Sequence, residues 1–430
     1  MAQPFDQMTK KPSPFSWYLI NQVVFFSSTG IGLVLFPWLV AVVLQASPQW
    51  VGAAQAMMML PMLLFLLVGG AKADRSHLQS WMMRLYALGV IPPTILCILL
   101  LTDSLTYAMV VLYAISMSTI GAFLGPARDS LLTRVTQTDT DIGMQRAVGL
   151  ATAGQFGAQF IGITLAGQAE TLGAATLVGM IGIGYALCIA VIGQLPDYGV
   201  YAPTTAADDD GNDAEQTTDT ASGFAHRMAE IREGIDAAWT SERIRPTILM
   251  VGLTGFIFMG AVMVYLPLMI RDVYAGGAFE RSLLFVCFCG GIGVSSTLLS
   301  QRPLENQGQA LMIAACVGAI AMACFFFEPP LWLFFGIVAF WGLSGGVSMS
   351  MSRTIVQRAA PEKTRGRVLS VFLLAMMGTG PVGSVLYGFV INAIGLQYAA
   401  LMPVVLMLIV WPAMFFKTDL WRLKAKGASY

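Results

Sequence analysis

The sequence predicts an all-α membrane protein: twelve transmembrane helices in two six-helix, pseudo-symmetric bundles. Three observations lead there: a composition too apolar for a water-soluble domain, a series of charge-free windows, and a stretch that occurs twice. Of 430 residues, 56% are hydrophobic and 11% are charged. The mean hydropathy is +0.70. A soluble domain carries about 25% charged residues, so a chain this apolar lacks the polar groups to cover a water-facing surface.

The windows give the spans in order, since a span needs about 20 apolar residues. Residues 12–71 carry no charge, and Ser47-Pro48-Gln49 divides them into the first two spans. Windows 85–102, 104–127, 147–169 and 171–196 supply spans three to six. Windows 246–270, 282–301, 306–327 and 329–352 supply spans seven to ten. The last window, 368–416, is long enough for two spans and breaks near Asn392-Ala393-Ile394-Gly395. Lysine and arginine fix the orientation. With the N-terminus inside, all of the 24 basic residues except Arg271 and Arg281 fall on the inner side. That asymmetry is the positive-inside pattern of an inner (plasma) membrane protein with both termini cytoplasmic. Missing one span would destroy it.

The repeat runs from Gly121–Gly162 to Gly346–Gly388. Gly121 and Arg128 match Gly346 and Arg353; Gly154, Gly157 and Gly162 match Gly380, Gly383 and Gly388. In both copies an apolar run ends at an arginine, a charged loop follows, and a glycine-rich apolar run begins. The expected organisation is therefore a first bundle at 1–196, a cytoplasmic linker at 197–245 and a second bundle at 246–430. Within the linker, residues 206–220 are acidic and polar and cannot bury a core. Phe224, Met228, Ile231, Ile235 and Trp239 then recur at helical spacing, which predicts an amphipathic helix on the inner membrane surface.

Several function classes find no support. The formal net charge is zero, so nothing suggests a nucleic-acid partner. The six cysteines all lie in apolar runs and have no metal-ligand spacing; no metal and no cofactor is expected. Both histidines, His77 and His226, fall on inner loops. No phosphate loop, nucleophile motif or paired carboxylate within a span points to an enzyme.

The loop after the second span reads Gly69-Gly70-Ala71-Lys72-Ala73-Asp74-Arg75. A glycine followed four residues later by Asp-Arg resembles the loop signature of the major facilitator superfamily. Ser47-Pro48, Ile231-Arg232-Glu233-Gly234, the Arg271–Gly277 stretch and Pro126-Ala127-Arg128 are similar to the branch holding the enterobactin exporter and macrolide efflux proteins. The resemblance covers nearly the whole chain. It implies the major facilitator fold and transport by alternating access, and two similar halves are a common plan in secondary transporters.

The resemblance also implies an inner gate. Asp74 would sit near the inner end of the eleventh span, where a carboxylate complements a helix dipole. Arg75, Arg128, Asp129, Arg353, Glu362 and Arg367 complete the gate candidates, with Asp129 offered to Arg128 and Glu362 to Arg353. The plainer reading is that these charges only set topology. The signature is imperfect: His77, Leu78 and Gln79 replace the usual glycine and basic residues, and Lys72 is an extra charge.

Polar residues inside spans are the candidates for a substrate path. They are Gln22 and Thr29, Gln55, Ser116 and Thr119, Gln155 and Gln159, Tyr265, Ser344 and Thr379. Phe256 and Met263 would add an apolar wall. The plainer reading is hydrogen bonding between helices. The reading as a whole is a secondary transporter, by resemblance an exporter of a medium-sized, largely apolar drug or siderophore. Its expected partners are that small molecule, the bilayer and, as a candidate coupling ion, the proton; the expected state is a monomer. Rival readings are a lysolipid flippase and a transporter-like sensor that moves nothing.

Overall fold

A computed structural model describes residues 13–74, 76–138, 144–197, 235–236, 238–301, 304–360 and 365–423. Among them every regular element is helical. The first helix, α1 (Pro14–Trp38), starts where Ser13 Oγ accepts the Ser16 amide at 3.3 Å and Pro14 fits the first turn. It continues through a π-helical turn, Leu39–Val43. Then follow α2 (Pro48–Asp74), α3 (Leu78–Leu101), α4 (Tyr107–Thr138), α5 (Met144–Ala166) and α6 (Ala174–Ile192). In the second part, α7 (Ile244–Gly260) continues through a π-helical turn, Ala261–Tyr265, into Leu266–Asp272. After it come α8 (Ala278–Gln301), α9 (Gln307–Ala323) and α10 (Leu331–Ala359). α11 comes as two segments, Arg365–Gly378 and Gly380–Ile394, and α12 is Met402–Lys417.

Ten of these are long and apolar enough to cross a membrane, among the described residues. The other two, α2 and α5, have 27 and 23 residues, enough by length for about 30 Å of hydrocarbon. Gln155 and Gln159 dilute the apolar character of α5. The outward surface is oily: Leu408 is 70% exposed and Ile409 66%. Such side chains suit contact with lipid.

Two helices outrun their charge-free windows. α4 continues past Arg128 to Thr138, and α10 past Arg353 to Ala359. Both helices therefore outlast their charge-free windows, and Asp129 lies within a helix long and apolar enough to cross a membrane. A window measures where charge is absent. The backbone, however, keeps its hydrogen bonds through charged residues that reach water or a partner. The acidic stretch and most of the expected amphipathic helix lie outside the described residues.

The chain divides into two compact units. The first takes in the described parts of Met1–Leu44, Met57–Ala202 and Gly277–Ser282; the second those of Gln45–Ala56, Pro203–Gly276 and Leu283–Tyr430. Within the first unit, α1 packs on α5, α3 on α6, α3 on α4, and α1 on α4. Within the second, α7 packs on α11, α9 on α12, α9 on α10, and α7 on α10. The same four pairings thus occur twice. The turns repeat as well. Left-handed residues end α1 and α3 at Gln45 (φ 48°) and Asp103 (φ 51°), and end the α7 and α9 spans at Ala275 (φ 48°) and Glu328 (φ 47°). Gly173 (φ 82°) and Gly395 (φ 87°) follow α5 and α11.

Close glycines make the tightest pairings. A Cβ on Gly162 of α5 would stand 2.9 Å from Ile31 N on α1. A Cβ on Gly383 of α11 would stand 3.0 Å from the Phe256 carbonyl carbon on α7. Small residues let membrane helices approach to backbone contact, where dispersion does the work. By contrast, Gly154 and Gly157 face open space.

Candidate functional site

On α1, Tyr18, Asn21, Gln22, Phe25 and Phe26 follow at three- and four-residue steps. That spacing puts them on one helix face, with Asn21 and Gln22 one turn below Phe25 and Phe26. Gly162 and Gly30 hold this helix against α5. Arg128 of α4 lies on the same face. Its guanidinium carbon stands 3.9 Å from the centroid of Phe25 and 4.4 Å from that of Phe26. A cation over an aromatic face gains about 2 kcal/mol when desolvated.

Further rings enclose the pair. Phe25 packs on Tyr86 of α3 at 6.1 Å and on Tyr185 of α6 at 5.8 Å, and Tyr86 meets Tyr185 at 5.9 Å. Tyr86 donates its hydroxyl hydrogen to Asn21 Oδ1 at 2.9 Å. Arg128 is 4% exposed, and among the described residues no group accepts from its Nε or Nη2. Asn21 Nδ2 and Gln22 Oε1 are buried without a partner too. Arg128 forms no ion pair with Asp129 among the described residues, and the Asp129 side chain is exposed.

The second unit holds a smaller polar group. Tyr265 and Tyr387 are fully buried, with ring centroids 6.1 Å apart and both hydroxyls without a partner. Ser384 Oγ and both amide atoms of Gln55 are also buried and unpartnered. Thr379 bridges α7 and α11: its hydroxyl donates to Gly252 O at 2.9 Å, with Ala375 O at 3.1 Å. It sits at the break in α11, where Pro381 opens the second segment.

The other candidates are placed as follows. Ser116, Thr119 and Thr29 give their hydroxyls to their own helices, at Leu112, Ile115 and Phe25. Ser344 does the same at Trp341. Gln155, Gln159, Phe256 and Met263 are half-buried. Arg353 is exposed near the end of α10. Asp74 is the last residue of α2, and Arg367 lies in the first turn of α11. Arg75 and Glu362 lie outside the described residues, so the gate expectation stays open there. The atypical residues after Arg75 have a structural use. Gln79 Nε2 donates to Ile192 O at 3.1 Å and Leu195 O at 2.6 Å, and His77 Nδ1 lies 3.3 Å from Asp197 Oδ2. They tie the start of α3 to the end of α6.

Sequence reasoning missed Asn21, Tyr86, Tyr185, Ser384 and Tyr387. Asn21 was within reach, since it adjoins Gln22 in a charge-free window. The tyrosines carried no signal, because aromatic residues are common in spans and only packing shows which ones converge.

Comparison with known proteins adds the remaining support. The chain is similar to the multidrug efflux pump Tap of Mycolicibacterium fortuitum, 24% identical over 398 residues, with 90% of this chain and 91% of the pump covered. Its fold resembles the nucleoside transporter NupG, with TM-score 0.72 at 14% identity, covering 94% of this chain and 100% of that one. It also resembles a bacterial homologue of the human lysosomal transporter Spinster, with TM-score 0.66 at 14% identity, covering 96% and 98%. At such identities these structures speak for the fold alone. Residues 18–380 match the Major Facilitator Superfamily, more than half of the chain. With its membrane-spanning helices and paired units, the chain belongs to the Major Facilitator Superfamily of transporters.

Proposed function

We propose that the protein is a secondary active exporter of the bacterial inner membrane. It moves medium-sized, largely apolar compounds, drugs or siderophores, by alternating access, with both termini in the cytoplasm. The observation that carries this reading is the likeness to a multidrug efflux pump across 90% of this chain and 91% of the pump. Buried aromatic rings with a few unpartnered polar groups among them are the chemistry such cargo calls for, because apolar contact supplies affinity and polar groups supply orientation. Asp74 at the end of α2 serves the inner gate in this reading.

Inverted membrane vesicles test it. Vesicles containing the protein should take up ethidium, and vesicles lacking it should not. A protein that binds ethidium without accumulating any tested compound is a sensor, and the exporter reading falls.

A further inference from the structure

Arg128 is a buried charge with little compensation among the described residues. It is buried in a helix long and apolar enough to span a membrane, its charge rests on two ring faces, and among the described residues no acceptor meets its Nε or Nη2. A buried cation normally has an anionic or carbonyl partner, because leaving water is costly. Ring faces return only part of that cost.

The unfilled atoms are the informative part. Nε and Nη2 form one edge of the guanidinium, the fork that takes the two oxygens of a carboxylate in parallel. Below Phe25, Asn21 offers a further donor: Tyr86 engages Oδ1, which leaves Nδ2 free. Around these donors stand Tyr18 and Phe26 of α1, Tyr86 of α3, and Tyr185 and Cys188 of α6. Asp129, the next residue on α4, is exposed and makes no ion pair with Arg128 among the described residues. Donors in excess, one cation and rings on several sides match a planar anion attached to an apolar body. We infer that the Nε/Nη2 edge of Arg128, with Asn21 Nδ2, recognises the carboxylate of an aromatic or apolar cargo molecule. Phe26, half-buried on the same face, covers the apolar part next to the charge. The inference rests on the exporter reading and adds to its cargo a class of apolar compounds carrying a carboxylate.

The test compares 4-phenylbutanoate with its neutral analogue 4-phenylbutanamide by titration calorimetry on the purified full-length protein. The wild type should bind the carboxylate at least about tenfold more tightly than the amide, since charged hydrogen bonds exceed neutral ones. Arg128→Gln should bind the two alike, and Arg128→Lys should keep part of the preference, having lost the fork. Asn21→Ala, which retains the arginine, should weaken carboxylate binding about threefold or more. That arm decides the matter if Arg128→Gln does not fold. Equal binding of both probes by the wild type, binding of neither, or an undiminished preference in Arg128→Gln overturns the inference. Ethidium accumulation is scored separately: its presence with no carboxylate preference sinks this inference and leaves the exporter reading standing.

Discussion

The guanidinium carbon of Arg128 stands 3.9 Å from the centre of the Phe25 ring, and among the described residues that side chain forms no ion pair. The pair joins α4 to α1. Phe25→Leu should therefore cost more than a lost ring volume. A double-mutant cycle with Arg128→Met should return a coupling of about 0.5–2 kcal/mol by thermal unfolding in detergent. Strict additivity would show that the contact is geometric only.

The glycine pairings differ in kind along α5 and α11. Gly162→Leu and Gly383→Leu should each collapse the yield of folded protein, because the new side chain meets backbone on α1 and α7. Gly154→Leu, which faces open space, should be produced at wild-type level. The assay is monodisperse yield on size-exclusion chromatography, and three equal yields would contradict the packing account.

Gln79 caps the end of α6 with hydrogen bonds to two carbonyl oxygens. Gln79→Leu leaves both acceptors without it. Stability should fall by about 1–3 kcal/mol, seen as an earlier unfolding transition with transport retained at lower temperature. An unchanged transition would mean that water replaces the amide at no loss.

At the inner gate, Asp74→Asn should cut transport strongly while the protein stays folded and inserted. A neutral amide forms hydrogen bonds about half as strong as those of the charged group. Faster labelling of a cysteine placed in the inner cavity should accompany the loss. Normal ethidium transport by this variant would reduce the loop to a topology signal.

Asp129 is an acid inside a candidate span with no ion-pair partner among the described residues. A titratable group at such a place is the expected site of proton coupling. Collapsing the proton gradient should reduce export modestly in the wild type and not at all in Asp129→Asn. A protonophore that still abolishes export by Asp129→Asn would place coupling elsewhere.

Much of this protein was legible in its residues. Apolar windows and the split of basic residues specify the spans, because lipid admits long apolar helices and strongly disfavours unpaired charge. The repeated arginine and glycine positions already announced two similar halves. Packing then divided glycines that look alike in sequence: Gly162 and Gly383 touch backbone, whereas Gly154 faces nothing. The same holds for polar residues. Ser116 and Thr119 satisfy themselves on their own helix, while Asn21 and Gln22 reach inward without complete partners. Sequence spacing gives the face a residue occupies on its own helix. Which face of another helix meets it depends on crossings that bring together residues far apart in the chain. For that reason Arg128 reads in the sequence as the end of a span with Asp129 as its partner. In the folded bundle it is a buried cation on Phe25, with no acceptor at Nε or Nη2 among the described residues.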